Sequence, residues 1–142
     1  IVLITGGTSG IGKALVEQLY ENNILIVCSR DQDKIKRCEQ QFENVHFIQA
    51  DITNQQDIDR LKKLITKTYG SLDVLINCAG ISSFLNLTDH DVVTDFSNID
   101  INFKGTVQLT SSLLPLLKRS QVKASIIIIS MSVNISYGFI NT

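Results

Sequence analysis

Three cysteines, two histidines and a single proline are all that this sequence of 142 residues holds of the types that staple, ligate or punctuate a chain. Cys28, Cys38 and Cys78 are odd in number and fit neither a C-x-x-C pair nor a zinc pattern, which argues against a disulfide framework and against a structural metal. Cys28 and Cys78 lie in apolar stretches, where a free thiol packs as a small hydrophobe, so a reducing, cytoplasmic setting is expected. His46 and His90 stand alone, without metal-ligand spacing. Neither sign of charge is in excess: 13 bases against 14 acids give a net charge of −1, mixed along the chain. That leaves no basic face for nucleic acid or an anionic membrane. Apolar runs are short, such as Ile126 to Ile129, far below the roughly 20 residues of a membrane span. No stretch has the pattern of a signal peptide, a repeat or a low-complexity linker. With 44% hydrophobic and 19% charged residues, the composition is that of a folded chain with room for one core. One domain over residues 1–142 is expected.

The stretch that organises the chain is Thr5-Gly6-Gly7-Thr8-Ser9-Gly10-Ile11-Gly12. The apolar run Ile1-Val2-Leu3-Ile4 leads into it, and Ile11, Ala14, Leu15 and Leu19 leave it at helical spacing. Strand, glycine-rich turn and helix in that order make an anion site. Glycines let the backbone turn tightly and approach a pyrophosphate, and the first-turn N–H groups point at it with the helix dipole behind them.

Four more apolar runs follow, alternating with helical patterns. Ile24 to Cys28 predicts a second strand, apolar on both faces as in a buried parallel sheet. Asp31 opens a helix with Ile35, Cys38 and Phe42 on one stripe and Lys34, Lys36, Arg37 and Glu39 outside it. Val45 to Ile48 predicts a third strand that delivers Asp51 at its exit. Thr53-Asn54-Gln55-Gln56 matches a capping box with Thr53 as N-cap, and the helix after it buries Ile58, Leu61 and Ile65 before Gly70 ends it. Leu72 to Ile76 predicts a fourth strand leading into Asn77-Cys78-Ala79-Gly80, then a polar loop with Ser82, Ser83 and Asn86. A helical pattern runs from Asp89 to Arg119, with Gly105 and Pro115 as its weak points. Ile126 to Ile129 is the fifth strand, followed by Ser130-Met131-Ser132. Such alternation predicts an α/β fold: a doubly wound parallel sheet in strand order 3-2-1-4-5, with a crevice at the carboxyl ends of strands one and four. Thr5, Asp51 and Asn77 all fall at strand exits, where such a crevice opens.

The spacing T-G-x-x-x-G-x-G, then Asp51-Ile52-Thr53, Asn77-Cys78-Ala79-Gly80 and Asn102-Phe103-Lys104-Gly105, resembles the short-chain dehydrogenase/reductase family over Ile1 to about Ser132. The resemblance implies a nicotinamide dinucleotide held by Thr5, Gly6, Thr8, Ser9, Gly10, Ile11 and Gly12 of the loop. Asp51 and Ile52 would lie at the adenine, and Asn77, Ala79 and Gly80 along the central strands. Where family members that use NAD carry an acid, this chain has Ser29, and Arg30 follows, as in members that use NADP. NADP(H) is therefore expected to be preferred over NAD(H). Asn102 resembles the catalytic asparagine that holds a water in a proton relay. A polar amide inside an apolar helix stripe costs stability unless it is bonded, which itself favours a role. The catalytic serine aligns with Met131, and a slip of one residue installs either Ser132 or Ser130.

The family's Tyr-x-x-x-Lys pair, in which lysine lowers the tyrosine pKa for proton exchange with substrate, is absent: Tyr137 is followed four residues on by Asn141. The sequence also begins inside one strand and stops soon after another, so a domain incomplete at both ends and truncated after strand five is expected. By resemblance, the whole protein is expected to move a hydride between a nicotinamide and a small carbonyl or alcohol substrate, as a homodimer or homotetramer, with the present chain inactive. The alternative is a non-catalytic dinucleotide-binding or sensing module on the same fold.

Overall fold

In the computed structural model, the described residues are 1–81, 85–86, 97–129 and 135–136. The apolar runs form the strands β1 (Val2–Thr5), β2 (Leu25–Ser29), β3 (Val45–Gln49) and β4 (Val74–Asn77). Two-residue β5 (Leu85–Asn86) follows, then β6 (Ser125–Ile128) and β7 (Ile135–Ser136). The helices α1 (Gly10–Leu19), α2 (Gln32–Glu39) and α3 (Gln55–Thr68) fill the first three connections. A three-residue α4 (Ser97–Ile99) runs into a π-helix (Asp100–Gly105) and then into α5 (Thr106–Leu117).

The main sheet is parallel throughout, in the order β3-β2-β1-β4-β6, which is the expected 3-2-1-4-5 arrangement. Its first three helical connections are short, and the chain returns to the same end of the sheet each time, so every strand exit opens on one edge. Side chains alternate across the pleat. Leu3, Ile26 and Leu75 face α3 and α5, where Ile58, Leu61, Ile65, Leu109 and Leu113 close the layer. Ile4, Val27 and Ile76 face the other way, against Val16 of α1, Cys38 of α2 and Phe42. Strands covered on both faces need apolar residues at every position, and burying each such side chain is worth about 1.5–3 kcal/mol.

Several local expectations are corrected. The cap of α3 is Asn54, whose side chain accepts from the N–H groups of Gln56 and Asp57, and not Thr53. Thr53 instead gives both its N–H and its hydroxyl to Asp51 Oδ1. The long helix predicted from Asp89 is not continuous where it is described: a π-helical turn replaces α-helix over Asp100–Gly105, and residues 89–96 lie outside the described residues. Gly105, where that π-turn ends, is also a packing position, since a Cβ on it would stand 2.9 Å from Ile52 Cγ1. Leu85–Asn86, read from the sequence as loop, pairs in parallel with Ile135–Ser136.

Candidate functional site

Four strand exits converge on a cleft of about 220 Å³. β1 contributes Gly6, Thr8 and Ser9; β2 contributes Cys28, Ser29, Arg30 and Asp31, with Lys34 from the first turns of α2. Ala50, Asp51 and Ile52 come from the exit of β3, Ala79, Gly80 and Ile81 from that of β4, and Ile101 from the π-helix. Cys28, Ala50, Ile52, Ile81 and Ile101 make the walls apolar, and hydroxyls and charges sit at the ends. An apolar slot with a few placed polar groups is the usual form of a small-ligand site.

Hydrogen bonds hold this corner in place. Thr5 is fully buried, and its Oγ1 accepts from the N–H groups of Cys78 (3.0 Å) and Ala79 (2.9 Å), tying the glycine loop to the exit of β4. Gly6, at φ 68°, lies so close to that exit that a Cβ would stand 2.8 Å from Ala79 Cα. Only glycine accepts both the left-handed backbone and the approach. Gly12 is required for a different reason: its Cβ would sit 2.4 Å from the carbonyl oxygen of Gly6, so the first turn of α1 packs directly on the loop. Thr8 Oγ1 donates to Ser29 Oγ (3.0 Å), which also accepts from the Asp31 N–H (3.3 Å). The Asp31 carboxylate then caps α2, accepting from the N–H groups of Asp33 and Lys34. These bonds hold its carboxyl below its ordinary pKa, the Lys34 N–H contributing most, with the Lys34 ammonium assisting.

The opposite wall is braced by residues that sequence reasoning did not single out. Asp57 accepts the Asp51 N–H (2.9 Å), and Arg60 holds Asp57 at 2.9 Å while also donating to the Gln49 carbonyl (2.6 Å). Gln49 Nε2 reaches across to the Arg30 carbonyl (3.2 Å), so the exits of β2 and β3 are clamped together. Their signal in the sequence is only that polar side chains recur at the start of α3.

The expected site residues therefore divide. Gly6, Thr8, Ser9, Ser29, Arg30, Asp51, Ile52, Ala79 and Gly80 line the cleft. Thr5 and Asn77 sit behind it, Asn77 Nδ2 donating to Thr110 on α5 (3.1 Å) and so joining sheet to helix. Gly10, Ile11 and Gly12 shape the loop without forming the wall. Asn102 is fully engaged with one neighbour: its Oδ1 accepts the Ile81 N–H (2.9 Å) and its Nδ2 donates to the Ile81 carbonyl (2.8 Å). The polar side chain in the apolar stripe is thus paired, and it pins Ile81 to the cleft wall. Ser130 and Ser132 lie outside the described residues. Lys34, Asp31, Ile81 and Ile101 join the lining without having been expected there. Cys28 lines it too, but burial pushes its thiol up to about 12, which leaves it protonated and inert. No group of His, Cys, Asp and Glu among the described residues could hold a metal ion. No helix among them is long and apolar enough to cross a membrane.

The family model for short chain dehydrogenases matches residues 1–142. The chain belongs to that family. As a short-chain dehydrogenase chain it is 36% identical over 118 residues to an uncharacterized oxidoreductase of Staphylococcus aureus strain N315, a match covering 81% of this chain and 51% of that protein. A similar oxidoreductase of Staphylococcus haemolyticus is 31% identical over the same shares of both chains. The chain thus spans about half the length of the curated relatives it matches. Among solved structures, the serine dehydrogenase of Escherichia coli superposes with a TM-score of 0.77 at 25% identity, covering 88% of this chain and 59% of that one. A short-chain dehydrogenase/reductase of Saccharomyces cerevisiae gives 0.72 at 28% identity, covering 83% and 49%.

Proposed function

We propose that this chain is the cofactor-binding part of an NAD(P)-dependent oxidoreductase acting between a nicotinamide and a small carbonyl or alcohol substrate, with NADP(H) preferred over NAD(H). The observation that carries the reading is the convergence of the loop at Gly6 to Ser9 with Arg30, Asp51 and Gly80 on one cleft. The cleft fits a dinucleotide in its chemistry: hydroxyls and backbone N–H groups for phosphates beside β1, and an apolar slot between Cys28 and Ile52 for a base. When bound, the nicotinamide supplies the capacity to accept or give a hydride. Everything else falls to the chain's own residues. Gly6 lets the loop close onto the exit of β4, where a Cβ would meet Ala79, and Thr8 and Ser9 would face an anion at the cleft. Asp51 would accept from the adenine amino group, held by Asp57 from behind. Ile81, pinned by Asn102, would wall the entrance and exclude water.

Asn102, with Ser130 or Ser132, would serve the catalytic end, the asparagine as a positioning group through Ile81. The chain carries no Tyr-x-x-x-Lys pair, so by itself it should bind without turning over, since a positioned acid supplies typically 10²–10⁴-fold. The second reading is a non-catalytic dinucleotide-binding or sensing module on the same fold. A cytoplasmic homodimer or homotetramer completes the proposal. Titration with NADPH and NADH tests it. Arg30→Ala should weaken NADPH by about 1.5–3 kcal/mol, the worth of a charge-assisted bond, and leave NADH nearly unchanged. Equal losses for both would remove the NADP preference, and no binding of either would end the reading. Carbonyl reduction by the intact protein separates the enzyme from the module.

A further inference from the structure

Lys34 is badly placed for a purely structural lysine. It sits in the first turn of α2, where the helix dipole is positive and a cation is unfavourable. Its one ion pair among the described residues, to Asp31 Oδ2, is long at 3.6 Å, and both side chains are about two-fifths exposed, at 44% and 40%. Such a pair contributes little. Yet Lys34 lines the cleft together with Arg30, Ser29 and Asp31.

The surrounding groups say what this corner would accept. Asp31 Oδ1 is already committed to the α2 N–H groups, so the acid here serves the helix and is not a free acceptor for ribose hydroxyls. Ser29 Oγ accepts from Thr8 and from the Asp31 N–H, which leaves its own hydrogen to donate outward. Arg30 stands on a backbone fixed by Gln49 at its carbonyl and by the Ala50 N–H to Ser29 O bond. A hydroxyl, a guanidinium and an ammonium therefore present donors at one end of the cleft. A ribose diol, which must also donate, matches such a set poorly, and a phosphate dianion, which only accepts, matches it well.

We propose that Lys34 is a second specificity-determining cation of the cleft, exchanging its loose pair with Asp31 for the 2′-phosphate that Arg30 also meets. The inference rests on the NADP(H) reading above. It adds that the preference is shared between a residue in the β2 exit and one on α2, and that Asp31 competes with the ligand for Lys34.

Calorimetric titration of the intact protein with 2′,5′-ADP and with 5′-AMP tests this, because the two probes differ only in the 2′-phosphate. Lys34→Gln should weaken 2′,5′-ADP about 5- to 10-fold, shift 5′-AMP less than about twofold, and flatten the salt dependence of the former. Lys34→Arg should keep the preference. Asp31→Asn retains a helix cap and should tighten 2′,5′-ADP about 2- to 3-fold, an effect that vanishes in the Lys34→Gln background. If Lys34→Gln leaves 2′,5′-ADP unchanged while Arg30→Ala still weakens it, this inference fails and the NADP(H) reading stands. Equal weakening of both probes by Lys34→Gln would mark a structural lysine and also overturn it. A wild-type protein that does not distinguish the probes would overturn both the inference and the reading beneath it.

Discussion

β2 and β6 are nearly indistinguishable in the sequence and opposite in the structure. Leu25, Ile26 and Val27 have no exposed surface, whereas Ile126, Ile127 and Ile128 are 43%, 44% and 61% exposed. The difference is one of position. β2 lies between β1 and β3 and is covered on one face by α2 and on the other by the layer around α3. Among the described residues, β6 stands at the edge of the sheet, paired with β4 alone. Ile99, Phe103 and Val107 repeat the contrast on the helical side, forming an exposed stripe that runs from α4 across the π-helix into α5. An apolar run thus records the environment a strand is suited to, and the neighbours decide whether it is met. The half that is covered on both faces is also the half that carries most of the cleft, because only rigid strand exits can hold Arg30, Asp51 and the glycine loop in register.

The most direct way to break this comparison is to cut the same side chain in each strand. Ile26→Ala should cost about 2–5 kcal/mol, the usual loss for a buried isoleucine whose cavity cannot collapse. Ile127→Ala should stay within about 1 kcal/mol, because its side chain already touches solvent. Urea unfolding of the 142-residue chain reads both. Equal losses would mean that β6 is covered in solution, by self-association or otherwise, and repeating the pair at several protein concentrations tells the two apart.

A second, smaller effect sharpens the account of the cleft. Gly12→Ala drives a methyl group against the Gly6 carbonyl, so the loop backbone must move. Overpacking of this kind costs about 1–3 kcal/mol, and dinucleotide binding should weaken along with stability. The reason differs from the one the sequence suggests: Gly12 keeps room for the Gly6 carbonyl, and Gly6 keeps room for the β4 exit at Ala79. If Gly12→Ala retained full stability and lost only binding, Gly12 would face the ligand after all.

The sheet order and the location of the cleft were legible in the sequence because both follow from period and position. Apolar runs alternating with amphipathic helices leave few topologies, and Asp51 and Gly80 had to fall at strand exits. The core face of α3 followed in the same way from Ile58, Leu61 and Ile65. Three things were not legible, because each depends on a contact that the periodic pattern does not encode. Asn102 bonds Ile81, 21 residues away, and the π-helical turn around it has no periodic signal. Lys34 reads as a solvent-facing charge until α2 is seen to end on the cleft. Asn54 displaces Thr53 as the cap because Asp51 has already taken both donors of Thr53.

The smallest expected effect concerns pH, and it separates the two halves by their carboxylates. Asp31, in the covered half, has its pKa lowered chiefly by the Lys34 N–H at the start of α2. Asp73, at the entrance to β4, accepts the Ser120 hydroxyl instead of a helix N-terminus. A carboxyl bound more tightly to its donors in the folded state than in the unfolded one adds stability above its ordinary value of 3.8, and that stability is lost as pH falls through the lower folded value. The Asp31 carboxyl therefore works toward acid unfolding. Asp31→Asn keeps an acceptor for the helix but removes the titration, so its loss of stability between about pH 7 and pH 2 should be smaller than that of the parent chain. The side chain is open to solvent, so salt should shrink the difference further. Urea midpoints across that range measure it. Parallel curves for the two proteins would mean that the α2 cap makes no contribution to acid sensitivity.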